Sequence, residues 1–241
     1  MFEHTSLAHD TDPEKWRHGR LGYPMLDALP LLGPHQPALA GRDRLIKRLF
    51  DLVVSGLLLA LLSPLMLGIA LLIKLDSPGP VFFRQQRVGE GARLFWMAKF
   101  RSMVHGAEQQ EPALISQAGG HALFVKTPDD WRITRLGRLL RRTSLDELPQ
   151  LINVLKGEMS LVGPRPELPW LLETYAPWQL ERLAVPQGMT GWWQVNGRMQ
   201  RATPQQRIED DLFYIRNRSL CLDLRILWRT IKAVIQGEGA F

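Results

Sequence analysis

Hydrophobic and polar positions divide the chain unevenly. Arg42, Arg44, Lys47 and Arg48 lead into a stretch without charge, Leu52 to Ile73, which Lys74 closes. The stretch is apolar all round, unlike the one-sided pattern of a surface helix. At about 1.5 Å per residue its length is near the minimum needed to cross a bilayer core of about 30 Å. Ser63-Pro64 interrupts it midway, and proline removes a backbone donor and crowds the preceding turn. Both flanks are basic, with Arg84 and Arg87 following Lys74. Positive flanks favour the cytoplasmic side, so both ends are expected on the same side. The pattern therefore predicts a re-entrant helix–break–helix over 42–75, with Ser63 bonding backbone groups near the break. A straight anchor and a buried core helix are the alternatives.

Beyond this segment the periods are shorter. Val81-Phe82-Phe83 and Arg93 to Phe100 read as strands joined through Gly89-Glu90-Gly91, a β-hairpin. A basic helix is expected from Asp129 to Arg142, and another from Asp146 to Lys156, stopped by Gly157. Pro164, Pro166 and Pro169 impose extended chain. A short helix is expected over 177–184, then a loop rich in Trp and Gly from Gly188 to Arg198. Helices over Pro204–Arg216 and Leu220–Gln236 follow. The last sets Leu224, Leu227, Trp228, Ile231, Val234 and Ile235 apart from Arg225, Arg229 and Lys232. Such a basic amphipathic helix suits a membrane surface, or a core with a solvated basic face. Residues 1–41 show no sustained period and are expected to be a flexible extension. The fold class is thus α+β and mostly helical: the re-entrant segment, then a small cytosolic domain over 76–241 with a β-hairpin and interfacial helices.

Charge narrows the partners. The net charge of +6 favours an anionic partner: phosphorylated substrate, acidic lipid or nucleic acid. The long apolar segment and the lack of a recognition motif set nucleic acid aside. The single cysteine, Cys221, excludes an internal disulfide and fits a reducing compartment. The first apolar run begins too deep for a cleaved leader. No phosphate-loop, dinucleotide-binding or HExxH pattern is present, and the histidines lack ligand spacing, so no zinc is assigned.

The candidate chemistry lies between Thr143 and Glu167. Asp146 and Glu147 stand at an expected helix start, where an N-terminus favours carboxylates. Ser144-x-x-Glu147 also fits a capping box, in which Glu147 would return to the Ser144 amide. Arg141 and Arg142, just upstream, suit bidentate phosphate contact. Two adjacent acids among arginines suit Mg²⁺ held against a diphosphate. Prolines on both sides of Arg165 aim its guanidinium, unless the segment is only a rigid linker. Lys99 and Arg101 alternate with Phe100 and are expected to point the same way, toward a ligand or toward solvent. The segment Thr190–Arg198 mixes tryptophans with amide and guanidinium groups. It suits a base-and-phosphate site, a headgroup interface, or a loop packed on the core.

Several blocks in order carry a resemblance: KRLFDLVVSGLLLALLSPLMLGIALLIKLDSPGPVFFRQQRVG, KFRSM, LRRTSLDELPQLINVLKGEMSLVGPRPE, PQGMTGWWQVNGR and DLFYIRNRSLCLDLRILWRT. Over about residues 44–237 the chain resembles the bacterial sugar transferase family, the monotopic polyprenyl-phosphate phosphoglycosyl transferases. The resemblance implies transfer of a sugar-1-phosphate from a nucleotide diphosphate sugar, first of all a UDP-hexose, to undecaprenyl phosphate with release of UMP. This is the first membrane step of exopolysaccharide or glycoconjugate synthesis. It implies Asp146 as a nucleophile that forms a covalent phosphosugar intermediate and Glu147 as its partner, both near Mg²⁺. It also implies a place on the cytoplasmic face of the bacterial inner membrane. The candidate substrate- and phosphate-binding set is Lys99, Arg101, Arg141, Arg165, Pro166, Glu167 and Arg198, and the membrane helix break is Ser63-Pro64. Gly106 departs from the acidic residue many members carry. A non-catalytic membrane scaffold with a basic partner-binding face is the competing reading. The sequence leaves a homo-oligomer open.

Overall fold

The computed structural model describes residues 41–107, 130–196 and 203–236. Helix α1, Gly41–Asp76, is followed by strands β1, Phe82–Val88, and β2, Leu94–Phe100. Helices α2, Arg135–Arg142, and α3, Gln150–Lys156, precede strand β3, Ser160–Val162. Strand β4, Gly188–Thr190, and helices α4, Trp192–Val195, α5, Pro204–Asn217, and α6, Leu220–Gln236, complete the order. Single-turn or 3-10 segments span Leu145–Glu147, Pro169–Thr174 and Pro177–Ala184. The mostly helical α+β reading holds. The extension expected over residues 1–41 lies outside the described residues except for Gly41.

β1 and β2 form the expected antiparallel hairpin, with Phe82 opposite Phe100 and Val88 opposite Leu94. The hairpin buries Phe95 and Met97 on the face that also carries Lys99. Asn153 of α3 extends the sheet edge. Its Oδ1 accepts the Ala98 N–H at 3.0 Å, and its Nδ2 donates to the Trp96 carbonyl at 2.8 Å. This amide holds α3 against β2, which brings the turn before α3 up to Lys99. The main core joins Phe95 and Met97 to Leu151 and Val154 of α3, Leu161 and Val162 of β3, Leu180 and Leu183, and Ile208, Leu212 and Ile226. A smaller core gathers Met66, Ile69 and Ile73 of α1 with Phe100 and Leu140.

Helix α1 is one element of 36 residues with Pro64 inside it. The expected division into two arms does not interrupt the helix. Instead the Ser63 hydroxyl donates to the Ala60 carbonyl at 2.8 Å, a local bond beside the proline. Both ends of α1 are tied to the same body. Near its start, Arg48 donates to the Val154 and Leu155 carbonyls at 2.6 and 2.8 Å. These belong to the last turn of α3, where Arg48 joins the Gly157 N–H on the Val154 carbonyl and supplies a donor to Leu155. Asp51 is buried and accepts from Ser160 Oγ at 2.8 Å. Lys47 pairs with Asp51 at 2.8 Å and with Asp223 of α6 at 2.9 Å. Near its end, Arg101 donates to the Ile73 and Ser77 carbonyls at 3.3 and 2.6 Å. Between the two attachments Leu57, Leu61, Leu65 and Leu67 are exposed, Leu61 by 75%.

Three sequence expectations shift. The helix expected from Asp129 begins at Arg135, because Arg132 closes a turn on Asp130 (Nη2 to Oδ2, 2.6 Å) and Thr134 caps the helix by accepting the Gly137 N–H at 2.9 Å. The helix expected from Asp146 begins at Gln150. Ser144 lies at φ +56°, and Pro149 has no N–H with which to continue a turn. Gly157 ends it in the left-handed region, φ +84°, as expected. Third, part of the Trp-rich loop is regular, since β4 pairs in parallel with β3, Ser160 opposite Gly188 and Val162 opposite Thr190.

Candidate active site

Asp146 and Glu147 share one short turn, yet their side chains meet different surroundings. The capping box does not form: Ser144 makes no side-chain cap bond. Glu147 instead accepts two cations on one oxygen. Lys99 Nζ donates to Oε1 at 2.7 Å and Arg165 Nη2 donates to the same atom at 2.9 Å. Burial alone would push the Glu147 carboxyl up, but Arg165 and Lys99 outweigh it and hold it far below the usual carboxylate range. Asp146 is buried, and among the described residues no hydrogen bond or ion pair reaches its carboxylate. Burial pushes its carboxyl up, with Glu147 adding to the shift and Lys99, Arg141 and Arg165 opposing it. The helix N-terminus expected to keep Asp146 ionised is only a 3-10 turn, so these cations supply the compensating charge instead. Burial lowers Lys99 from the ordinary lysine range, against the pull of Glu147.

The two arginines are delivered by close backbone contacts. α2 crosses Ser102 so tightly that a Cβ on Gly137 would fall 1.9 Å from the Ser102 carbonyl oxygen. Arg141 lies one turn further along the same face. Its Nε donates to Ser102 Oγ at 2.9 Å. Arg165 follows β3. Gly163 donates its N–H to the Thr190 carbonyl at 2.9 Å, and Gly188 donates to the Pro164 carbonyl at 2.8 Å. A Cβ on Gly163 would meet the Pro186 carbonyl at 2.4 Å, and one on Gly188 would meet the Gly163 nitrogen at 2.1 Å. This glycine crossing fixes where the Arg165 backbone starts.

The structure thus brings Lys99, Arg141 and Arg165 around Asp146 and Glu147. Arg101 does not join them: β2 ends at Phe100, and Arg101 turns to the end of α1, bonding Pro78, Ser77 and Ile73 carbonyls. Pro166 offers its carbonyl to Arg87 at 3.1 Å, and Glu167 pairs inward with Arg182 at 2.6 Å. The Glu167 carboxylate thus serves Arg182 rather than bonding a cation of the Asp146–Glu147 cluster. Arg198 lies outside the described residues. In the Trp-rich segment, Trp192 packs on the main core and against Phe213 at 5.1 Å between ring centroids, and Arg207 lies over the Trp193 ring at 5.2 Å. The described part of that segment behaves as the core-anchored alternative. Ser63 and Pro64 are exposed on α1 and distant from the carboxylates in sequence, while Met66, two residues on, belongs to the cluster against which Leu145 and Leu148 pack. Sequence reasoning gave no site role to Arg182, Arg87 and Asn153, which hold the site's elements together; their partners lie far along the chain, so no local pattern marks them.

The donor set bears on Mg²⁺. No group of three or more His, Cys, Asp or Glu residues among the described residues could hold a metal alone. The open Asp146 carboxylate and Glu147 Oε2, which no hydrogen bond reaches among the described residues, offer two hard oxygens. That fits Mg²⁺, which binds one or two carboxylates and completes its shell from phosphate and water.

Residues 42–237 match the family model described as Bacterial sugar transferase. The chain is 44% identical over 200 residues to the UDP-N-acetylgalactosamine-undecaprenyl-phosphate N-acetylgalactosaminephosphotransferase of Aeromonas hydrophila, covering 81% of this chain and 45% of that protein. It is 41% identical over 227 residues to the UDP-glucose:undecaprenyl-phosphate glucose-1-phosphate transferase of Escherichia coli K12, covering 90% of this chain and 46% of that protein. The chain therefore spans about half the length of these curated relatives. It matches the uncharacterized sugar transferase EpsL of Bacillus subtilis at 41% identity over 195 residues, 81% of this chain and 90% of that protein. With the match running through α1 and on to α6, the chain belongs to the bacterial sugar transferase family.

Proposed function

We propose that this protein transfers a sugar-1-phosphate from a nucleotide diphosphate sugar to undecaprenyl phosphate. The observation that carries the reading is the buried, unbonded Asp146 carboxylate, with Lys99, Arg141 and Arg165 close enough to act on its charge. A nucleophile needs a free lone pair, and two anionic substrates approaching a carboxylate need neutralising charge. An Asp146 oxygen attacks the phosphorus that carries the sugar, and the bond from that phosphorus to the nucleoside monophosphate breaks. Asp146 then holds the phosphosugar. A phosphate oxygen of undecaprenyl phosphate attacks the same phosphorus, the aspartyl oxygen leaves, and the carboxylate is restored. Lys99, Arg141 and Arg165 orient the diphosphate and offset its charge. Glu147 sets the positions of Lys99 and Arg165. Mg²⁺, held by Asp146 and Glu147, would neutralise further phosphate charge.

The donor is assigned to the UDP-hexose class, with glucose or galactose phosphate as the transferred group and UMP as the leaving product. Relatives named for glucose and galactose support this choice of sugar, while the Aeromonas hydrophila relative is named for another UDP-sugar, UDP-N-acetylgalactosamine. The same names support a lipid carrier as the acceptor, and the apolar α1 supports a membrane location; the cytoplasmic face is part of the proposal. The re-entrant path of α1 is part of the proposal. Its support is that Arg48 and Asp51 at one end and Ile73 at the other bond to a single body, which a straight crossing would have to divide between two sides. A panel of nucleotide sugars offered with undecaprenyl phosphate tests the function. The expected result is UMP release with formation of an undecaprenyl diphosphate sugar, abolished by EDTA and restored by Mg²⁺. Turnover that proceeds equally without the lipid phosphate would overturn the reading.

A further inference from the structure

Arg182 is buried, its side chain 2% exposed, in the 3-10 segment Pro177–Ala184. It makes four hydrogen bonds. Nη1 donates to Glu167 Oε1 at 2.6 Å and to Tyr175 Oη at 2.9 Å; Nη2 donates to Asp211 Oδ2 at 2.6 Å and to the Arg165 carbonyl at 3.1 Å. Burying a guanidinium with two carboxylates gives little stability over well-packed apolar side chains. What the bonds of Arg182 hold in place therefore matters more than the cohesion they add.

The bonds converge on one stretch of backbone. Arg182 holds the Arg165 carbonyl, Arg87 Nη1 holds the Pro166 carbonyl at 3.1 Å, and the Val88 N–H holds the Glu167 carbonyl at 3.0 Å. Three successive carbonyls are thus held by Arg182, Arg87 and Val88, while the Arg165 side chain reaches Glu147. Glu167, which the sequence placed among substrate contacts, is a ligand of this clamp.

We propose that Arg182 is a positioning residue for phosphosugar transfer: with Glu167 and Asp211 it sets the Arg165 peptide so that the Arg165 guanidinium engages Glu147. The proposal rests on the function given above. A lysine in its place would keep the charge but not the fork, and its three donors on one atom could not reproduce the four bonds that Arg182 makes from two nitrogens. Misplacing a charge-bearing group by about 1 Å costs up to about a hundredfold in rate.

A double-mutant cycle on the full-length protein in nanodiscs tests it, reading kcat and KM for transfer from the UDP-sugar that the wild type uses. Arg182→Lys in the wild-type background is expected to lower kcat by up to about a hundredfold with less change in KM. In an Arg165→Ala background the same substitution is expected to cost less than about twofold, because the group it positions is gone. Equal losses in both backgrounds, or no loss in the first, would overturn the proposal. If Arg182→Lys fails to fold, Glu167→Gln takes its place in the same cycle under the same criteria. Hydrogen exchange at the Val88 and Gly188 amides, which donate to the Glu167 and Pro164 carbonyls, gives a readout independent of turnover. Faster exchange confined to these amides in the variant is expected, and unchanged exchange counts against the clamp. A wild-type protein that transfers no phosphosugar sinks the function itself, and the exchange measurement then still decides whether Arg182 holds the loop.

Discussion

Asp146 and Glu147 are adjacent carboxylates whose environments drive them apart. Glu147 is held ionised by two cations on one oxygen, whereas Asp146 has none bonded and is raised by burial. The pH profile follows with a definite sign. Asp146 must be ionised to attack, and its raised carboxyl places the acid limb of kcat/KM above the ordinary aspartate value of about 3.9. Lys99 must stay charged, and its lowered ammonium places the basic limb below the ordinary lysine value of about 10.4. A rate profile from acid to alkaline pH checks both limbs. In Lys99→Arg, whose charge does not titrate, the basic limb is expected to move to higher pH. At this scale the sequence brought forward Lys99, Arg141, Asp146, Glu147 and Arg165, which the fold gathers, together with Arg101, Pro166 and Glu167, whose bonds go elsewhere, and it misread one bond. Ser144-x-x-Glu147 has the form of a capping box, yet the Glu147 side chain is claimed by Lys99, 48 positions earlier, and by Arg165, 18 later. A local pattern cannot compete with partners that only the tertiary fold brings near.

Among the elements, the hairpin and the helices α5 and α6 were legible, because their periods are long and their ends carry Gly89, Pro204 and Thr203. The parallel pairing of β3 with β4 was not. Each strand has three residues and no alternation, and their register depends on a glycine crossing between Gly163 and Gly188. The position of α2 carries its own prediction. Gly137→Ala puts a Cβ into the Ser102 carbonyl, so α2 must move and take Arg141 with it. The variant is expected to lose about 1–3 kcal/mol of stability and part of its activity. Gly68→Ala, which meets nothing within 4 Å, is the control and is expected to hold both. Thermal melts and initial rates on the two variants give the comparison.

For the whole molecule, the basic flanks of the Leu52–Ile73 stretch led to the expectation that both ends of α1 lie on one side of a membrane, and the attachments of Arg48, Asp51 and Ile73 to one body support that path as part of the proposal. The flanks gave no hint that the helix would run unbroken past Pro64, since a nearby hydroxyl and a neighbouring turn can accommodate a lost donor. Cysteine labelling in closed vesicles tests the path. In a Cys221→Ser background, Arg42→Cys and Arg84→Cys are expected to react with an impermeant reagent from the same side. Labelling from opposite sides would mean a straight crossing.

The account depends most on Asp146 as the nucleophile. Intact-protein mass spectrometry after incubation with the donor nucleotide sugar, before any lipid phosphate is added, reads it directly. The wild type is expected to gain the mass of one sugar phosphate, to lose it when undecaprenyl phosphate is added, and to show neither change as Asp146→Asn. A wild type that turns over without ever carrying the added mass, or an Asp146→Asn variant that still transfers, would contradict it.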